Sequence, residues 1–444
     1  MHLLLEKMNN SISFFKCRNS YGYKTSISRI RKGLDMLFLL CFFLSIYSGF
    51  LYLTKVVEIY SSGLFAKVAY IIYFYQSYVY VLIAVVKTIL EFYADRKRAI
   101  LFFVLLILAF VHKIFSQYSL INIYEVVVMA IAANRVKFSK IAILFFAEEC
   151  ILTISTIMLA TVNIIPNEVL YVADGRVCTY LGFGSHNVLM IIVFFNSLIL
   201  LYLNRAKKVF YKESTLLFIV GFAVYRFTAS RTSFYMLILC LLGIIFISII
   251  NKTAKIDVRT RMYCKVEFCA IFMPIICSIL SFLGMITWNY FAKDAIVDEI
   301  WQMKGPYILW NNTMTNRFRD ASINFAANGF ILPWENPTMK LIRETEGFKY
   351  NWLFGGGWCS QDFDNIYMCA FITAGVVVFV LLLVYMTYLA YRAYKTNDII
   401  VGWIFACIAI FAIMEGLKYL VYNPFLLILF SDWELKEKEK YNET

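Results

Sequence analysis

Between residues 355 and 375 the chain reads GGGWCSQDFDNIYMCAFITAG, so two carboxylates and an amide stand at the start of an apolar run that continues VVVFVLLLVYM. A carboxylate placed there can take the proton of a sugar hydroxyl, the general-base step of a glycosyl transfer. Asp364 is the first choice for that base, with Asp362 as rival and Asn365 beside it. The same Asp-Asn pair equally suits a helix N-cap, since both side chains accept hydrogen bonds from the first free backbone amides. Three further segments present arginine: Arg176 in DGRVCTYLGFGSHN, Arg226 and Arg231 in YRFTASRTSF, and Arg317 and Arg319 in TNRFRDA. A guanidinium stays charged and holds phosphate through two parallel N–H donors. Gathered on one face, these side chains would grip a pyrophosphate; taken singly, each would snorkel to the interface or pair with an acid.

Ring systems accompany them. His186 in GFGSHN reads either as a ligand contact or as a satisfied loop histidine. Trp358 in FGGGW, like the other tryptophans nearby, stacks on a sugar face or joins the interfacial belt, and the belt is the reading for Trp288. The glycines of FGGGW permit close backbone approach but lack the lysine of a nucleotide loop.

The elements that must position these residues are legible in composition. The 444 residues are 61% hydrophobic and 18% aromatic but only 16% charged, with a mean hydropathy of +0.70. That balance excludes an ordinary soluble domain. Apolar windows near 20 residues predict an all-α polytopic integral membrane protein. The windows are 35–54, 66–90, 99–116, 119–134, 141–164, 187–204, 213–230, 232–251, 264–288, 365–390, 398–417 and a short one at 419–431 containing Pro424. About twelve spans result, or eleven without the last.

Lysine and arginine in alternate connections set the sidedness. RIRKG precedes the first span, and DRKR (95–98), RVKFSK (135–140), NRAKK (204–208), KIDVRTRMYCK (255–265) and YRAYKTND (391–398) share its side. The formal charge of +13 is therefore a topology signal, not a nucleic-acid footprint. The expected organisation is a basic cytoplasmic leader (1–34), spans one to nine (35–288) with an external loop at 165–186, a large external loop (289–364), spans ten to twelve (365–431) and a charged cytoplasmic tail (432–444). Both termini are placed in the cytoplasm. The large loop holds most of the tryptophans, among them Trp301, Trp310, Trp334 and Trp352, which argues against disorder.

Glu125, Glu148, Glu149 and Glu415 fall inside predicted spans, where ionisable groups mark a pathway, a relay or a structural pair. They keep a transporter reading open. The eleven cysteines and three histidines show no metal-ligand spacing, so no metal and no cofactor are expected.

Taken in order, these segments resemble the Wzy-type polysaccharide polymerases, which build O-antigen and capsule, and their relatives the O-antigen ligases. ASRTSFYMLILCLLGIIF (229–246) is similar to the family's Ser-Arg before a span, and GRVCTYLGFGSHN (175–187) to its arginine-containing segment. Nine residues separate Asn365 from Gly375, as in the ligases' helix-entry pattern, but Asp364 stands where the ligase histidine would be. Nine residues separate Arg319 from Gly329 and eleven separate Arg317 from it, one fewer and one more than the ten of the polymerase spacing. The resemblance covers roughly residues 170 to 400. It implies a GT-C-like architecture and an inverting, metal-independent glycosyl transfer at the outer face of the bacterial inner membrane. Asp364, Asn365 and Arg231 would be catalytic; Arg176, Arg226, Arg317, Arg319, His186 and Trp358 would bind pyrophosphate or glycan. The implied partners are an undecaprenyl-pyrophosphate-linked oligosaccharide, a flippase and a chain-length regulator. The alternatives are a lipid-linked oligosaccharide flippase or other transporter, and an O-antigen ligase.

Overall fold

The computed structural model describes residues 21–56, 64–115, 123–171, 175–292, 311–328, 365–415 and 423–433, with positions 330, 340, 341, 344 and 353 between them. Eleven described helices follow the predicted windows in order. They are α1 (Tyr21–Tyr52), α2 (Leu64–Ala94), α3 (Arg96–Phe115), α4 (Ile123–Ala132), α5 (Phe138–Thr161), α6 (His186–Leu203), α7 (Tyr211–Thr228), α8 (Arg231–Thr253), α9 (Ile256–Ala292), α11 (Ile366–Thr396) and α12 (Ile399–Met414). A further helix, α10 (Asn311–Ala327), lies within the large loop, and a hairpin of β1 (Val169–Tyr171) and β2 (Val177–Thr179) lies in the smaller one. The chain is an α-helical membrane protein, with seven described helices long and apolar enough to cross a bilayer.

Helix α12 is almost wholly buried and packs against α6, α8, α9 and α11. Outward faces are apolar too: Leu82, Phe103, Ile151 and Phe246 are all exposed. Such a surface needs lipid around it. Lipid tails are as apolar as leucine, so burial alone does not drive these helices together. Hydrogen bonds between helices contribute instead: Trp403 Nε1 donates to the Cys240 carbonyl at 3.0 Å, and the Tyr367 hydroxyl to the Ala409 carbonyl at 2.9 Å.

The basic connections meet on one face. Glu91 receives Arg135 through both carboxylate oxygens, at 2.7 and 2.8 Å, and lies 3.6 Å from Arg31. Lys87 bonds Asp35 at 2.7 Å, and Arg205 lies 3.2 Å from Asp398. Residues 423–433 close this face. Arg98, Arg392 and Arg205 donate to the carbonyls of Phe430, Leu429 and Trp433 respectively. Residues 423–431 of this stretch belong to the window expected as a twelfth span (419–431), and they form a short 3₁₀ turn at Pro424–Leu427 and no α-helix. Proline has no amide to donate, and the carbonyls of Leu429 and Phe430 are taken by Arg392 of α11 and Arg98 of α3.

Candidate functional site

On the opposite face the end of α1 joins the smaller loop. Lys55 N donates to the Gly182 carbonyl at 2.9 Å, Gly184 N to the Leu53 carbonyl at 2.8 Å, and Lys55 Nζ lies 3.1 Å from Glu168. The hairpin then delivers Arg176, whose Nη1 donates to the Ala229 carbonyl at 3.0 Å. Ala229 takes a left-handed conformation, φ 49°, that closes α7 and turns the chain into α8. Arg231 is the first residue of α8 and half-buried. His186, the first residue of α6, is within electrostatic reach of Arg176 and stacks at a tilt on Tyr180 with centroids 5.9 Å apart. The structure thus brings Arg176 near His186 and onto the α7–α8 turn, two positions from Arg231.

The start of α8 has a property the sequence reading overlooked. Ser230 occupies the N-cap position but makes no side-chain cap bond, and the buried hydroxyls of Ser230 and Ser233 have no hydrogen-bond partner among the described residues. The first amides of a helix are orphan donors at the positive end of its dipole. With Arg231 in the same turn, this end of α8 can receive an anion. The signal was present in ASRTS, where two serines bracket the arginine; without structure they read as ordinary cap residues.

The other candidates divide. Arg226 is exposed in the last turn of α7. Arg319 pairs with its neighbour Asp320, Nη2 to Oδ1 at 2.9 Å, on α10, which packs against α9 and α11. Arg317 belongs to the same helix, but its side chain lies outside the described residues, as do Asp362, Asp364 and Trp358. Trp288 is not a belt residue: it is 3% exposed, packed in a cluster with Met285, Phe318 and Phe325. A Cβ on Gly284 would stand 2.2 Å from the Phe318 ring, so the bare glycine is what admits α10 to the α9 surface.

Asn365 is fully buried and both ends of its amide are engaged. Its Oδ1 accepts from Met368 N at 3.1 Å, and its Nδ2 donates to Ser281 Oγ of α9 at 3.1 Å. It caps α11 and ties that helix to α9. Gly375, nine residues on, breaks α11 with φ 77° and ψ 173°, a conformation essentially reserved to glycine. The Asn365-to-Gly375 spacing therefore delimits a short, mostly buried helical segment between a cap and a break.

Within the helical core, Glu148 and Glu149 on α5 are 5% and 1% exposed, and Glu149 faces Asn196 of α6. Nearby, the Tyr80 hydroxyl meets Ser45 Oγ at 2.6 Å. Glu125 is half-buried on α4, and Glu415 is buried just beyond α12.

Compared with known proteins, the chain matches no family model, no curated protein and no solved structure.

Proposed function

We propose that the chain is an oligosaccharide repeat-unit polymerase of the Wzy type, acting on undecaprenyl-pyrophosphate-linked glycans in O-antigen or capsule synthesis. The supporting observation is the meeting of Arg176 with the α7–α8 turn, which sets two guanidiniums and the amide end of α8 on the face opposite the basic loops. In this reading that face is the outer one, and the basic loops are cytoplasmic. The bond from the anomeric carbon of the growing chain to the pyrophosphate oxygen breaks as the bond to the acceptor hydroxyl oxygen forms, with inversion. Asp364 takes the hydroxyl proton. Negative charge accumulates on the departing pyrophosphate, where Arg231, Arg176 and the first amides of α8 stabilise it; fixed donors aimed at developing charge are worth most in the transition state. Arg317 and Arg319 hold glycan or phosphate from α10, and Asn365 fixes where the chain enters α11.

Reconstitution with a synthetic lipid-linked repeat unit tests this. Wild type should give a ladder of lengthened products, and Arg231→Ala should give none while inserting normally. The transporter reading draws on one observation, the buried Glu148, Glu149 and Asn196 group. It predicts lipid-linked sugar moving between leaflets, with no ladder.

A further inference from the structure

A cavity of about 900 Å³ runs along α11 between α3, α4 and the 423–433 segment. Its wall is apolar, formed by residues such as Leu101, Val127, Ala370, Leu381 and Leu382. At one end the lining changes to Lys97, Arg98 and Arg392, with Asp95 the single acid among the lining residues. The groove opens sideways toward the bilayer, since Leu101, Leu381 and Val384 are 48%, 39% and 58% exposed.

The two arginines at the mouth are held in place. Arg98 Nη2 donates to the Phe430 carbonyl at 3.0 Å, with its guanidinium 5.6 Å from the Phe102 ring centroid. Arg392 Nη1 donates to the Leu429 carbonyl at 3.1 Å and lies 5.0 Å from the Trp433 ring. One stretch of backbone thus fixes both forks beside Lys97. Planar forks fixed in this way suit a phosphate, and the excess of cations over the lone Asp95 favours a headgroup with net negative charge.

We propose that this groove binds an anionic glycerophospholipid, its phosphate in the Lys97, Arg98 and Arg392 mouth and an acyl chain along the α11 wall. The mouth belongs to the face where the basic connections gather. By the positive-inside rule that face adjoins the cytoplasmic leaflet, where anionic lipids meet basic pockets between helices. Neither Arg176 nor Arg231 lines the pocket, while its far end reaches Ile366, next to Asn365. The occupant in this assignment is a resident lipid, and a polyprenyl phosphate probe separates it from a glycan carrier.

Native mass spectrometry of the full chain, delipidated in neutral detergent, tests the assignment with phosphatidylglycerol, phosphatidylcholine and a polyprenyl monophosphate as probes. Wild type should retain phosphatidylglycerol in preference to phosphatidylcholine. The pair Arg98→Gln with Arg392→Gln should weaken retention on the order of thirtyfold, taking each basic residue at its usual worth near a charged lipid. Because these arginines also hold residues 429 and 430, Leu381→Trp supplies a second variant that keeps both cations and fills the groove; it should abolish retention. Equal retention of phosphatidylcholine by wild type overturns the proposal. So does wild-type retention of phosphatidylglycerol by Leu381→Trp, or its displacement by the polyprenyl phosphate.

Discussion

Individual side chains separate structural work from candidate chemistry. Asn365 is occupied twice over, as a cap for Met368 N and as a donor to Ser281. Asn365→Ala should therefore cost about 1–2 kcal/mol from the lost cap, read as a lower unfolding midpoint in detergent, and Asn365→Asp should recover part of it because the acceptor remains. A variant that abolished activity with an unchanged midpoint would show that Asn365 acts chemically. Arg176 makes the opposite case: its bond to the Ala229 carbonyl is half-buried and replaceable by water, so Arg176→Ala should leave the midpoint within about 1 kcal/mol of wild type while reducing glycan transfer. These two roles were not separable in sequence. Asparagine before an apolar run reads as a cap or as a partner of Asp364 alike, and the Ser281 contact spans 84 positions.

At the level of elements, the helices were legible because their apolar windows are long and the intervening charges are sharp. The two departures have local causes. The described part of the 419–431 window is not helical because of Pro424 and of two arginines that take the carbonyls of Leu429 and Phe430, and no hydropathy window registers such competition. Helix α10 was hidden because it is amphipathic and short, with Phe318, Ala321 and Phe325 turned onto α9 and α11. Phe325 stacks on Phe371 at 5.7 Å, and Phe282 meets both rings edge-on. Gly284→Leu should expel Phe318 and release α10, seen as faster proteolysis within residues 289–364 with the spans still inserted; unchanged cleavage would mean α10 docks without that contact. Gly375→Ala forces a side chain into a glycine-only conformation and should cost about 1–3 kcal/mol, measured by unfolding in mixed micelles.

Across the whole molecule, charge divides the two faces. Glu91 ties α1, α2 and the α4–α5 connection through Arg31, Arg135 and Asn134, the last donating Nδ2 at 3.0 Å. Glu91 is buried whereas Arg135 is 44% exposed, so Glu91→Ala should cost about 2 kcal/mol, less than a fully buried pair. Reporter fusions after residue 253 and within 165–186 should fall on opposite sides of the membrane, as the basic connections predict. That sidedness is an expectation drawn from the lysines and arginines alone. What the sequence left open was which segments of the face opposite the basic connections meet, since Arg176 and the Ala229 carbonyl it bonds are 53 positions apart. The polymerase account rests on that meeting. Its most direct test counts undecaprenyl pyrophosphate released per repeat unit added by the reconstituted protein. The account predicts one carrier released for each bond formed, and neither event in Arg231→Ala; chain growth in that variant, or carrier crossing the membrane with no bond formed by wild type, would contradict it.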